Sequence, residues 1–285
     1  MVNESPQGTP RRGRPRMTRR GRLALSAGLA VVVAAAVLVP LLLLKESPAP
    51  PPPEKPRMLL IPEGWRASQV YDAVDKALKV TPGTTRKVAE GGTLKLPADA
   101  LGNPEGFLFP ATYPVYKKTT PRGLLDYMVR TARERFGAER ISAGAQRNGV
   151  SLYQTVTIAS IVQAEADTPE DMGKVARVVH NRLAQGMALQ MDSTLNYGLG
   201  RSTLDTSHAD IRMDHPYNSY NRQGLPPTPI DNPGEQAMHA AVDPPPGDWL
   251  YFVTVQPGDT RFTADYGEHQ RNVQDFNAHR ASAPN

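Results

Sequence analysis

The chain has no cysteine in 285 residues. That excludes a disulfide framework, a zinc–cysteine centre and a thiol nucleophile. Basic charge is also missing from most of its length, although the formal net charge is +5. Seven arginines (Arg11, Arg12, Arg14, Arg16, Arg19, Arg20 and Arg22) less Glu4 put the first 22 residues at +6, so everything after them carries about −1. A basic nucleic-acid-binding face is therefore not expected in the folded part, and nucleic acid is excluded as a partner. Charge of either sign then disappears from Leu23 to Leu44, before Lys45. Twenty-two apolar or small residues make roughly 33 Å of helix, enough to cross a bilayer core. A cleavable signal peptide would carry an apolar stretch of only about 7–15 residues. The pattern predicts an uncleaved single-pass membrane helix over 23–44, with the basic tail 1–22 cytoplasmic and the rest outside at the cell membrane.

Six prolines between Ser47 and Pro56 make 45–56 a polyproline-type spacer. From there the expected class is α+β. Residues 57–121 read as a small α+β module, with a strand at Met58–Ile61, a turn at Pro62–Gly64, and a helix capped by Ser68 that carries Val70, Val74, Ala77 and Leu78. This strand–turn–helix resembles half of a LysM-type glycan-binding module. Residues 122–285 form the main mixed α+β domain. It begins with a helix from Arg122 to Phe136, and Asn232 to Glu235 are expected to cap a short helix ending at Val242. Trp249–Val255 and Arg261–Thr263 form a hairpin around Pro257–Gly258, and a helix from Tyr266 to Arg280 closes the chain.

The chemistry is expected between Ser151 and Gly200. Leu152–Ala166 has helical periodicity, and Glu165 lies seven residues after Ile158 and four after Ile161, on the same apolar stripe. A carboxyl so placed loses water, which disfavours its anion and suits it to act as a general acid near neutral pH. Thr168, Pro169, Glu170 and Asp171 then read as an N-cap, a first-turn proline and first-turn acids. The following helix buries Met172, Val175, Val179 and Leu183 and stops near Gly186. A plainer reading leaves Glu165 as a frayed helix end, or paired with Arg182. His208, Asp210, Asp214 and His215 could instead hold zinc, but their spacing matches no compact ligand motif and Pro216 interrupts it. No metal and no cofactor is expected. His269 is expected to pack under the site.

Eight ordered segments carry a more specific resemblance. They are Ile61–Gly64 (IPEG), Glu105–Tyr113 (EGFLFPATY), Ala159–Ala166 (ASIVQAEA), Asn181–Gly198 (NRLAQGMALQMDSTLNYG), Tyr217–Tyr220 (YNSY), Gly224–Gly234 (GLPPTPIDNPG), Trp249–Val253 (WLYFV) and Glu268–Phe276 (EHQRNVQDF). In this order they resemble the MltG-type (YceG-like) endolytic murein transglycosylases. The resemblance implies a membrane-anchored enzyme with a LysM-like module and a lysozyme-like acid site. It would cut the β-1,4 bond between N-acetylmuramic acid and N-acetylglucosamine in nascent peptidoglycan strands, leave 1,6-anhydro ends, and so end strand elongation. It also implies partners among the peptidoglycan synthases or the elongation and division machinery. The family's catalytic glutamate falls on Glu165, while the first acid of the same motif is Gln163 here.

A lytic transglycosylase needs one firm acid/base, because the sugar's own 6-hydroxyl closes the ring, whereas ordinary glycosidases need two carboxyls. Asp167 and Asp171 belong to the turn and helix start. Asp192 is expected to position the loop around Ser193 and Thr194 against the ligand. Gln190, Asn218 and Tyr220 offer uncharged hydrogen bonds suited to acetamido sugars, and Tyr217 and Tyr220 an apolar face for a pyranose ring; core packing is the alternative for both tyrosines. Two other readings remain: a non-catalytic glycan-binding scaffold, and a muramidase that adds water.

Overall fold

The computed structural model describes residues 18–20, 28, 31–39, 54–202 and 206–282. The chain divides into two compact units, Met1–Glu54 and Lys55–Asn285. In the first, residues 31–39 are helical, and Val31, Val32, Val33, Val37, Leu38 and Val39 are all exposed. Apart from Gly28, the rest of the expected 23–44 helix, and most of the 1–22 tail and 45–56 spacer, lie outside the described residues. Among the described residues no helix is long and apolar enough to cross a membrane.

The second unit is a mixed α+β fold with two small sheets. Strand β1 (Arg57–Leu60) pairs antiparallel with β2 (Thr112–Val115), Arg57 opposite Val115 and Leu60 opposite Thr112. Between them lie helices α1 (Ala67–Leu78) and α2 (Thr84–Glu90). Helix α1 buries Val70, Tyr71 and Val74, the i, i+1, i+4 set of one face. Its start differs from expectation. Ser68 caps nothing; the helix begins at Ala67, whose N–H donates to the buried Glu105 carboxylate at 2.8 Å. A residue 38 positions away thus satisfies a donor that no local side chain reaches. Asp75 stitches α1 to α2 by accepting from Thr85 Oγ1 at 2.5 Å and from the Gly83 N–H at 2.7 Å.

Helix α3 (Pro121–Phe136) starts one residue before its expected position, with Thr120 accepting from the Gly123 N–H and Pro121 in the first turn. It serves two cores at once. Leu124, Leu125, Met128 and Val129 join the β1–α1–α2–β2 cluster, while Ala132 and Phe136 join the main one. The segment before β2 does the same by alternation: Phe107 and Phe109 enter the main core and Leu108 the smaller one. Gly106 makes this possible at φ +84°, where an added Cβ would lie 2.6 Å from Pro229 Cγ. The 57–121 and 122–285 segments therefore meet across shared elements within a single unit.

Helices α4 (Glu139–Arg147), α5 (Leu152–Glu165), α6 (Pro169–Ala184), α7 (Asp192–Gly198) and α8 (Glu235–Val242) build the main core. Helix α5 lies at its centre. Ser151 caps it, accepting from the Gln154 N–H while the Gln154 side chain accepts from the Ser151 N–H. Instead of one apolar stripe, every residue from Thr155 to Val162 is buried. The polar ones survive there because Thr155, Thr157 and Ser160 hydroxyls donate back to helix carbonyls at 2.8–3.0 Å. The Thr168 and Pro169 signals open α6 as expected. Asn232 is a correction. It does not cap α8, whose N-terminal Gly234 N–H is taken by Gln163 Oε1 at 3.0 Å. Asn232 is wholly buried and its Oδ1 accepts from the Leu108 N–H instead. Strands β3 (Tyr251–Gln256) and β4 (Asp259–Thr263) form the expected hairpin, with Gly258 at φ +82° in the turn, and α9 (Tyr266–Ser282) packs against it.

Candidate active site

Glu165 is the last residue of α5, half-buried where the chain leaves the central helix. Removal of water pushes its carboxyl above the usual range and the neighbouring Asp192 adds to this, while hydrogen bonds from Ser193 pull the other way. The Ser193 hydroxyl donates to Glu165 Oε1 at 2.5 Å. Arg182 is not its partner. That guanidinium, 5% exposed, donates to the carbonyls of Leu250, Ala188 and Leu189 and to Gln190 Oε1, all at 2.6–3.0 Å. It thereby ties α6 and the β3 approach to the segment that delivers Ser193.

Asp192 and Ser193 open α7, which makes a helix start of the expected loop. Asp192 Oδ1 accepts from the Tyr220 hydroxyl at 2.6 Å. Gln190 is exposed, in a left-handed conformation at φ 56°, and its N–H donates to the Ser219 carbonyl at 2.8 Å. Glu165, Asp192, Gln190 and Tyr220 are therefore linked through Ser193, Arg182 and the 217–220 loop. Asn218 stands apart. It is wholly buried, its amide donating to the Ile211 and Met213 carbonyls and its Oδ1 accepting from the Tyr220 N–H, so it shapes the loop from within. Tyr217 turns to another neighbourhood, its hydroxyl 2.7 Å from Thr228 Oγ1 and its ring 5.1 Å from that of Tyr197.

Three of the four residues weighed as metal ligands have separate partners. Asp210 pairs with Arg201 and Ser207, Asp214 with Arg222, and His215 Nδ1 accepts from the Tyr217 N–H. Among the described residues no group of three or more His, Asp or Glu could hold a metal ion. His269 stacks on Tyr251 at 5.0 Å, and Arg182 lies over the Tyr251 ring at 5.1 Å, so it supports the arginine that holds Gln190.

Sequence reasoning missed a second buried acid cluster. Glu105 is 4% exposed and accepts from the Ala67 N–H, Tyr197 Oη at 3.0 Å and Asn232 Nδ2 at 3.2 Å. Burial pushes its carboxyl up to about 7 despite those bonds and nearby Arg66. Asp231 is also buried, with Oδ1 unpartnered, and burial followed by the charge of Glu105 raises it well above the usual range. Both sit in segments singled out by their order, yet no periodicity brings residues 105, 197 and 231 together.

A half-buried acid at a helix end, held by a hydroxyl and set beside a second carboxylate, Asp192, is an arrangement able to exchange a proton with a polar ligand. The chain belongs to the YceG-like family, whose sequence pattern matches residues 18–275. It is 35% identical over 173 residues to an endolytic murein transglycosylase of Bacillus subtilis, across 60% of this chain and 48% of that protein. It is 34% identical over 175 residues to one from Streptococcus pneumoniae, across 59% and 31%. The chain thus spans half or less of the length of these curated relatives. A crystal structure of a YceG-like protein from Listeria monocytogenes superposes with a TM-score of 0.68 at 28% identity, covering 76% of this chain and 75% of that one.

Proposed function

We propose that the chain is a membrane-anchored endolytic transglycosylase that cuts the N-acetylmuramic acid–N-acetylglucosamine β-1,4 bond of nascent peptidoglycan strands. The observation that carries this reading is Glu165, half-buried, raised by desolvation and held by Ser193 Oγ, in a chain of the YceG-like family. In the protonated form Glu165 gives its proton to the leaving glycosidic oxygen. As carboxylate it then takes the proton of the muramyl 6-hydroxyl while that oxygen closes on C1. The carboxyl ends protonated, as it began, and no water is consumed. The Ser193 hydroxyl stabilises the carboxylate between the two steps. Gln190 and Tyr220 line the sugar path, Asp192 holds Tyr220, and Asn218 fixes the loop that presents it.

The β1–α1–α2–β2 arrangement serves as a LysM-like glycan-binding module, and the 23–44 segment as the anchor that keeps the enzyme close to peptidoglycan synthases. Gln163 offers its amide oxygen to Gly234, a role a carboxylate could fill equally, so its presence does not remove a catalytic acid. Mass spectrometry of digested sacculi tests the reaction: 1,6-anhydro ends are expected. Reducing ends would instead mean a muramidase, and no new ends a binding scaffold. A reporter fused after Asn285 is expected to be active only outside the cytoplasm, and cytoplasmic activity would overturn the topology.

A further inference from the structure

Ser193 and Tyr197 are four residues apart on α7, so they share one face of that helix, about 6 Å along its axis. Ser193 touches Glu165, whereas Tyr197 lines a groove of about 480 Å³ that runs between α1, α2 and the end of α7. Both signs of charge face this groove. Arg66 lies over the Tyr197 ring at 5.1 Å and donates to the Arg201 carbonyl; Arg86 lies over the Tyr71 ring at 5.6 Å. Glu90, four residues after Arg86 on α2, supplies an exposed carboxyl, with the buried Glu105 behind the groove wall. Among the described residues neither Arg86 nor Glu90 has an ion-pair partner, although both line the same recess.

We propose that this groove binds the charged peptide branch of the glycan, a short peptide bearing carboxylates and a free amine, while Glu165 acts on the sugar chain. The assignment rests on the glycan-cleaving reading of Glu165. Guanidinium groups match carboxylates with a planar fork of donors, and an aromatic face beneath each holds it oriented before the ligand arrives. A neutral glycan has no use for two arginines, and a polyanion such as a phosphate ester would meet the exposed Glu90. A zwitterionic peptide satisfies both signs. The muramyl sugar carries its peptide on the ring next to the scissile bond, so acid and branch site should be reached from one element, as α7 does with Ser193 at Glu165 and Tyr197 in the groove. The consequence is selectivity for strands that still bear peptides over strands stripped of them.

The test uses the full chain as Glu165→Gln, so that binding is read without turnover. Dissociation constants are measured for peptide-bearing glycan strands and for the same strands stripped by an amidase. The peptide-bearing strands are expected to bind about tenfold more tightly, with the gap narrowing as salt shortens the screening length from about 10 Å at 0.1 M to about 3 Å at 1 M. Arg86→Ala, on an exposed residue and with an unchanged circular-dichroism melt, should bring peptide-bearing strands down to the affinity of stripped ones. Equal affinity for the two kinds of strand, or a gap that Arg86→Ala leaves intact, overturns the branch site while the glycan reading stands. If neither strand binds, the glycan reading falls and the branch site with it.

Discussion

Glu165 and Ser193 form a pair of opposed effects at atomic scale. Burial raises the carboxyl and Asp192 adds to it, while the short bond from Ser193 favours the anion. Glu165→Gln keeps shape and hydrogen bonding but delivers no proton, so turnover on glycan strands is expected to fall by roughly 10²–10⁴-fold, the usual worth of general acid–base catalysis. Its thermal melt should be no lower at neutral pH, because a carboxyl raised by folding costs stability once pH exceeds its unfolded value. Ser193→Ala removes the donor that stabilises the anion, so the acid should hold its proton to higher pH. In a pH–rate profile the alkaline limb is then expected to move upward; a limb that stays put or moves down would show that Ser193 does not tune Glu165.

Among the elements, the start of α1 depends on a carboxyl borrowed from another segment. Glu105 satisfies the Ala67 N–H from inside the core and titrates at about 7, against 4.5 for the free side chain. The folded state therefore holds a proton that the unfolded state releases between those values, and stability falls as pH rises through that window. Asp231, also raised, acts in the same direction. Calorimetry of Glu105→Gln from pH 4.5 to 8 is expected to show a flatter dependence of Tm on pH than the parent chain. An identical slope in the two proteins would count against Glu105 as the titrating group.

For the molecule as a whole, the two hydrophobic clusters of Lys55–Asn285 cannot come apart cheaply. Helix α3 and the Phe107–Phe109 segment feed both of them. A fragment spanning Lys55–Asn285 is expected to unfold in one calorimetric transition. Phe107→Ala, on the main-core side, should lower it by about 3–5 kcal/mol, and Leu108→Ala, on the other side, by about 2–5 kcal/mol, each displacing the same single peak. Two resolved transitions, with each substitution moving only one, would show that the cores are independent.

Sequence alone determined the signals that are local. Thr168 opens its helix as its side chain dictates, Pro257–Gly258 makes the hairpin, and Glu165 ends its helix at the turn where the apolar run stops. It misjudged α5 as striped, because threonines and serines that bond back to their own helix can be buried as readily as valines. It also gave Asn232 to the nearest helix when its partners were Leu108, Trp65 and Glu105. Only tertiary structure decided which hydroxyl meets Glu165, which carboxyl caps α1 and which carbonyls hold Arg182. Those partners lie 28, 38 and up to 68 residues apart. Helical and strand periodicity fixes which way a side chain faces within its own element. What it meets there depends on how separate elements pack, and packing is set by the summed fit of both cores.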